Sequence, residues 1–332
     1  MNIEDVKDEI RKSENIGLFY GKTGASIVAF MLQNQNVGLN KQFAEELLTD
    51  VFNKINDNVP LNISQGISGI GLGINFLIQN GYVEGNADYV LKEIDETLFK
   101  RIVYYGKNDK IDCIGLCEIL FYILVRLKTG LKNKMERIVF SEFAKKILNL
   151  IYFGKGLDFY EEPLPYNVYY PMPFFLYLCS YMYGMGIYKN RINHILEEMK
   201  PMVCSRTPFL HCNRLTLMAS ILHVANSTED SDWFECLNLL HNGFSFEKIL
   251  KEETGCKQVF FTDGLLAIYL VAQDYIKNCN LEKYNLTIPD ALYVHLSQAL
   301  QFMDFEQSKK NGRIGLDGVL GVLLFGNLRK TT

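Results

Sequence analysis

The 332-residue sequence is poor in strand signals. Alternating apolar and polar runs joined by tight Asn-Gly hairpins are missing, which argues against a sheet-centred fold. Proline is scarce, at eight residues, and four of these (Pro163, Pro165, Pro171 and Pro173) fall together. That cluster marks a long loop or an irregular connection, and the rest of the chain is left free to be helical. No apolar stretch approaches the roughly 18 residues that a membrane span needs. The start, Met1-Asn2-Ile3-Glu4-Asp5-Val6-Lys7-Asp8-Glu9-Ile10, is acidic and amphipathic, without the basic and apolar regions of a secretory signal. No excess of basic charge exists either. Lysine and arginine total 34 against 38 aspartates and glutamates, a net charge of -4, so no nucleic-acid footprint is expected. The eight cysteines form no Cys-x-x-Cys pair, and several sit inside apolar runs, as Cys179 does. They read as reduced, buried thiols of a cytoplasmic protein.

What is present is helical periodicity and a repeated glycine device. Hydrophobic residues make up 48% of the chain, enough for a substantial core. Apolar residues recur at spacings of three and four almost throughout. Gly21-Lys22-Thr23-Gly24, Gly66-Ile67-Ser68-Gly69 and Gly318-Val319-Leu320-Gly321 each open an apolar helical run. Weaker copies of these heads stand at Asp112 to Gly115, Tyr170 to Pro173, Cys212 to Leu217 and Thr262 to Ala267. Together they give seven apolar helices at intervals of roughly 40 to 57 residues, the scale of two-helix repeats. Polar amphipathic segments lie between them, among them Lys41 to Ile55, Ala87 to Val103, Lys134 to Ile151, Asp232 to Leu250 and Pro289 to Phe305. A helix apolar on most sides must be surrounded. The expected fold is therefore all-α, an α/α toroid of seven helical hairpins with an inner and an outer ring, one domain over residues 1–332. Glycine suits the heads because it permits tight turns and close backbone approach.

Seven hairpins with such heads resemble the lanthionine synthetase C-like (LanC-like) family. The resemblance rests most on Ile63-Ser64-Gln65-Gly66-Ile67-Ser68-Gly69-Ile70-Gly71 and the closing Gly315-Leu316-Asp317-Gly318-Val319-Leu320-Gly321. It covers the whole chain at the level of repeat architecture. It implies an α/α toroid whose cyclase members bind one zinc, activate a peptide cysteine thiolate and add it to a dehydroamino acid. Zinc would deprotonate the thiol, and an adjacent acid would protonate the resulting enolate. The family's ligands are the Cys of a Trp-Cys-x-Gly motif and both residues of a Cys-His pair. Here the fifth head reads His211-Cys212-Asn213-Arg214, which places Cys212 on a ligand position. The sixth reads Thr262-Asp263-Gly264, so Thr262 and Asp263 stand where Cys and His would be. The resemblance thus implies either zinc on Cys212, completed by His211 or Asp263, or no cofactor at all. His211 and Asp263 become the candidate catalytic groups, and the partner would be a peptide substrate or a partner modification enzyme.

Other residues carry two readings each. Asp112, Asp263 and Asp317 at repeat heads suit helix N-capping, or a ring of acidic groups that meets substrate. Tyr166, Tyr169 and Tyr170, in the aromatic stretch after Glu161 and Glu162, suit an exposed wall that grips a peptide or sugar, or core packing. Adjacent glutamates on an α/α barrel also leave a carbohydrate-active reading open, although neighbours in sequence do not easily flank one bond. A non-catalytic peptide- or partner-binding scaffold is the further alternative. Gly17 to Thr23 mimics a phosphate-binding loop with one residue too few between its glycines. Lys22 is expected to point into the opening. His194, His223, His241 and His295 show no ligand spacing and read as ordinary helix histidines.

Overall fold

The computed structural model describes residues 3–35, 37–104, 111–129, 131–253, 259–279, 290–301 and 305–328. Among them no strand occurs, and the chain is all-α. No described helix is long and apolar enough to cross a membrane. The chain divides into two compact units, Met1–Ala144 with Met303–Thr332, and Lys145–Phe302.

The first unit holds α1 (Ile3–Lys12), α2 (Lys22–Leu32), α3 (Lys41–Lys54), α4 (Ile67–Gln79), α5 (Ala87–Val90), α6 (Lys92–Val103), α7 (Cys113–Thr129) and the first half of α8 (Lys134–Gly154). The second unit holds the rest of α8, then α9 (Pro171–Gly184), α10 (Lys189–Cys204), α11 (His211–Thr228), α12 (Ser231–His241), α13 (Phe246–Lys248), α14 (Leu265–Asn278) and α15 (Asp290–Gln301). The chain then returns to the first unit with α16 (Phe305–Lys310) and α17 (Val319–Leu328).

Each unit is an arc of apolar helices backed by polar ones. In the first, α17, α2, α4 and α7 pack side by side in that order, with α3 against α2 and α5 and α6 against α4. In the second, α9, α11 and α14 pack side by side, backed by α10, α12 and α15 respectively. Of the amphipathic segments expected from the sequence, Lys41 to Ile55, Ala87 to Val103, Asp232 to Leu250 and the described part of Pro289 to Phe305 fall on these backing helices, while Lys134 to Ile151 is α8. Two are interrupted: Ala87 to Val103 divides at Leu91 into α5 and α6, and the run from Asp232 to Leu250 is broken after His241. Gly243 there takes φ +74, a left-handed turn that ends α12, and the chain resumes in α13 and a π-turn over Ile249–Glu253.

The glycine heads have one shared geometry. The N-caps Gly21, Gly66 and Gly264 offer no side chain to the first helical N–H groups, which would otherwise be orphaned. The preceding chain folds back and supplies carbonyls instead. Lys22 N donates to Asn15 O at 3.0 Å, Ile67 N to Pro60 O at 2.7 Å, Val319 N to Arg313 O at 3.1 Å and Ala267 N to Phe260 O at 3.3 Å. A Cβ on Gly24 would lie 1.9 Å from Leu18 O, and one on Gly69 would lie 1.8 Å from Ile63 O. Backbone contact, not unusual dihedrals, demands these glycines. Neighbouring straps are joined: Phe19 N donates to Ser64 O at 2.9 Å, and Asp317 N to Phe19 O at 2.8 Å. The last head thus adjoins the first.

Two buried charges tie backing helices to the arc. The Arg126 guanidinium on α7 meets Asp95 at 3.0 Å and Asp88 at 3.3 Å, while the Tyr122 hydroxyl donates to Asp95 at 2.5 Å. Lys22, expected to face an opening, is buried instead. Its ammonium pairs with Asp50 on α3 and donates to Arg11 O at 2.8 Å.

Candidate functional site

The head of α11 gathers most of the residues singled out in the sequence. Its N-cap, Leu210, has no side chain able to accept a hydrogen bond. Two glutamates from distant segments serve instead. Glu162 accepts from Phe209 N at 2.6 Å, Leu210 N at 2.7 Å and Asn213 Nδ2 at 2.9 Å. Glu253 accepts from His211 N at 2.5 Å and Cys212 N at 2.9 Å. Four successive backbone N–H groups thus end on two carboxylates, which the positive end of the helix also favours.

Cys212 is buried at 1% exposure. Burial pushes its thiol well above the ordinary value, and a hydrogen bond to the Glu253 carboxylate pushes it further. Both causes favour the neutral thiol. His211 is also buried, and its Nδ1 accepts from Ser245 N at 3.2 Å. Burial lowers its imidazole, with Glu253 opposing, so the neutral ring is favoured. Tyr166 packs over the same point. Its phenol is raised chiefly by burial, with the Thr216 hydroxyl opposing and the Asp263 carboxylate adding to the rise. Thr262 is buried and its carbonyl accepts from Val168 N at 2.8 Å.

The structure therefore brings Tyr166, His211, Cys212 and Asp263 to one place, and it adds Glu162 and Glu253. The tyrosines do not form the exposed wall expected. Tyr166 and Tyr170 are buried, and Tyr169 is half-buried, because the proline-rich strap folds over the helix heads. Burial, with Glu162 adding to it, pushes the Tyr170 phenol up to about 12, and Arg206 opposes. Asp112 and Asp317 lie in the other unit. Asp112 Oδ1 accepts from Gly115 N at 2.7 Å, the N-cap reading. Asp317 is fully buried in the closing strap. Asp263 does not cap α14, whose N-cap is Gly264.

The resemblance implies a zinc held by a thiolate, and such a metal would have to displace the Cys212 proton beside Glu253. Among the described residues no three His, Cys, Asp or Glu side chains are grouped to hold a metal ion. Cys256 lies outside the described residues.

A second cluster was missed in the sequence. On the faces of α9, α11 and α14 left open to solvent, His223 Nε2 and Asp274 Oδ2 share a hydrogen bond of 2.7 Å. Asn278 Nδ2 donates to the other Asp274 oxygen at 3.1 Å. The Tyr177 ring meets the imidazole edge-on at 5.1 Å and stacks on Tyr181 at 6.0 Å. His223 thus bridges three neighbouring helices, with an orienting carboxylate on one side and an aromatic pair on the other. Register was the available signal: His223 stands roughly three turns beyond Cys212, and Asp274 nearly as far beyond Gly264, at 3.6 residues per turn.

No protein-family model matches this sequence, and no curated protein matches it significantly.

Proposed function

We propose that the two arcs belong to one LanC-like α/α toroid, and that this protein binds a peptide there without zinc. The observation that carries the reading is the Cys212–Glu253 pair. At the position where cyclases of the resembled family place a metal-binding thiolate, this chain holds a buried thiol beside a helix-capping carboxylate, and among the described residues no three metal-ligating side chains are grouped. The repeated inner and outer helices and the joined straps support the toroid. The open face of His223, Asp274, Tyr177 and Tyr181 supports peptide binding: it offers aromatic surface beside a few fixed polar groups. The carbohydrate-active alternative loses support, because Glu162 spends both oxygens on α11.

The test uses a fluorescent synthetic peptide with one cysteine and one dehydroalanine. The expected outcome is saturable binding by anisotropy, no loss of free peptide thiol, and far less than one zinc per chain in protein purified without a metal-binding tag. Stoichiometric zinc that disappears in Cys212→Ala, together with thiol consumption, would establish a cyclase instead. Absence of saturable peptide binding would sink the peptide reading altogether.

A further inference from the structure

The backing helices α10 and α12 of the second unit pack against each other. Their register is set by one ammonium. Lys200 Nζ, in the last turn or so of α10, reaches Asp230 at 2.7 Å and Asp232 at 3.2 Å, at the start of α12. It also lies 5.7 Å over the Trp233 ring. One turn further along each helix stand Cys204, four residues after Lys200, and Cys236, four residues after Asp232. Residues four apart share a helix face, so the bridge that aligns Lys200 with Asp232 also brings the two thiols side by side.

The two cysteines are not equivalent. Cys204, the last residue of α10, is half-buried, whereas Cys236 is 2% exposed. The neighbouring Cys236 side chain holds the Cys204 thiol below its ordinary value, assisted by Lys200 and opposed by burial. The proximity of Cys204, with burial, pushes Cys236 up. One thiol is accessible and more readily ionised; the other is sheltered behind it.

We propose that Cys204 and Cys236 form a reversible dithiol–disulfide site that reacts with low-molecular-weight disulfides, Cys204 attacking and Cys236 resolving. The Cys204 thiolate attacks one sulfur of glutathione disulfide. The S–S bond breaks, and one glutathione leaves as a thiolate that takes a proton from water. Cys236 then loses its proton to water and attacks the Cys204 sulfur of the mixed disulfide, and the second glutathione leaves. Two protein thiols are oxidised by two electrons, and one small disulfide is reduced to two thiols. The product would fasten the end of α10 to α12.

The experiment equilibrates the full chain in glutathione buffers of increasing oxidised fraction, quenches with acid, alkylates with N-ethylmaleimide and maps the peptides. The expected result in the unmodified sequence is a Cys204–Cys236 linked peptide, fully reversed by excess reduced glutathione. Cys236→Ser should stop at a glutathione adduct on Cys204, and Cys204→Ser should lose both the linked peptide and any adduct on Cys236. The proposal is overturned if Cys204 accumulates glutathione without linking, if it links to another cysteine, or if both thiols stay alkylated across the series. The unmodified chain decides the matter even if a variant fails to fold.

Discussion

Cys212 and Glu253 act as a unit, and their substitutions separate two roles of the carboxylate. Glu253→Ala strips acceptors from His211 N and Cys212 N at a buried helix end. A loss of about 1–3 kcal/mol is expected, read by urea unfolding. Cys212→Ala leaves both backbone N–H groups bonded to Glu253, and should cost less than Glu253→Ala in the same assay. In native protein at neutral pH, maleimide should label Cys212 far more slowly than Cys204, since only the thiolate reacts and Cys212 is both buried and protonated. His241 gives a pH signature. It is half-buried and bonded to Tyr275 Oη at 2.5 Å, and burial brings its pKa down to about 4. Its folded value lies below the unfolded one, near 6.5. The unfolded chain therefore takes up the proton first on acidification. Stability from this group is full above the unfolded value and falls as pH drops from about 6.5 to 4, by on the order of 1–2 kcal/mol after screening. Urea midpoints measured across that range should lose this slope in His241→Gln; an unchanged slope would refute the assignment.

At the scale of elements, the glycine heads make a sharp contrast with glycines elsewhere. Gly24→Ala sets a methyl group against the Leu18 carbonyl, a contact that neither backbone segment can relieve without breaking the strap. A destabilisation of about 3 kcal/mol is expected. Gly154→Ala, at the end of α8 with open space around it, should be neutral or stabilise by up to about 1 kcal/mol. Thermal unfolding of the two variants side by side checks the difference. A mild effect of Gly24→Ala would mean that the strap does not form. These heads were legible in the sequence because Gly-x-x-Gly before an apolar run is a local pattern with a local cause. The break after His241 was less so. Residues 232 to 250 keep an apolar helical rhythm, and only the left-handed turn at Gly243 interrupts it.

At the scale of the whole molecule, the first unit is assembled from both ends of the chain, with α17 packed beside α2. Truncation before Arg313 should remove the carbonyls that the α17 strap provides and uncover the flank of α2. Limited proteolysis is expected to cut such a protein within residues 3–60 under conditions that spare the full chain; equal resistance would show that α2 does not need α17. Sequence alone determined the helical class, the alternation of apolar and polar helices, and the repeated heads, since each depends on residues within a turn or two of one another. It also marked Cys212 and Asp263 as positions of interest. Tertiary structure decided their chemistry. Glu253 reaches Cys212 across 41 residues, Glu162 reaches Asn213 across 51, and His223 meets Asp274 across another 51. Which carboxylate arrives at which N–H, thiol or imidazole is set by the path of straps and the register of packed helices. Periodicity shows the face a residue occupies, but not the side chain that comes to meet it.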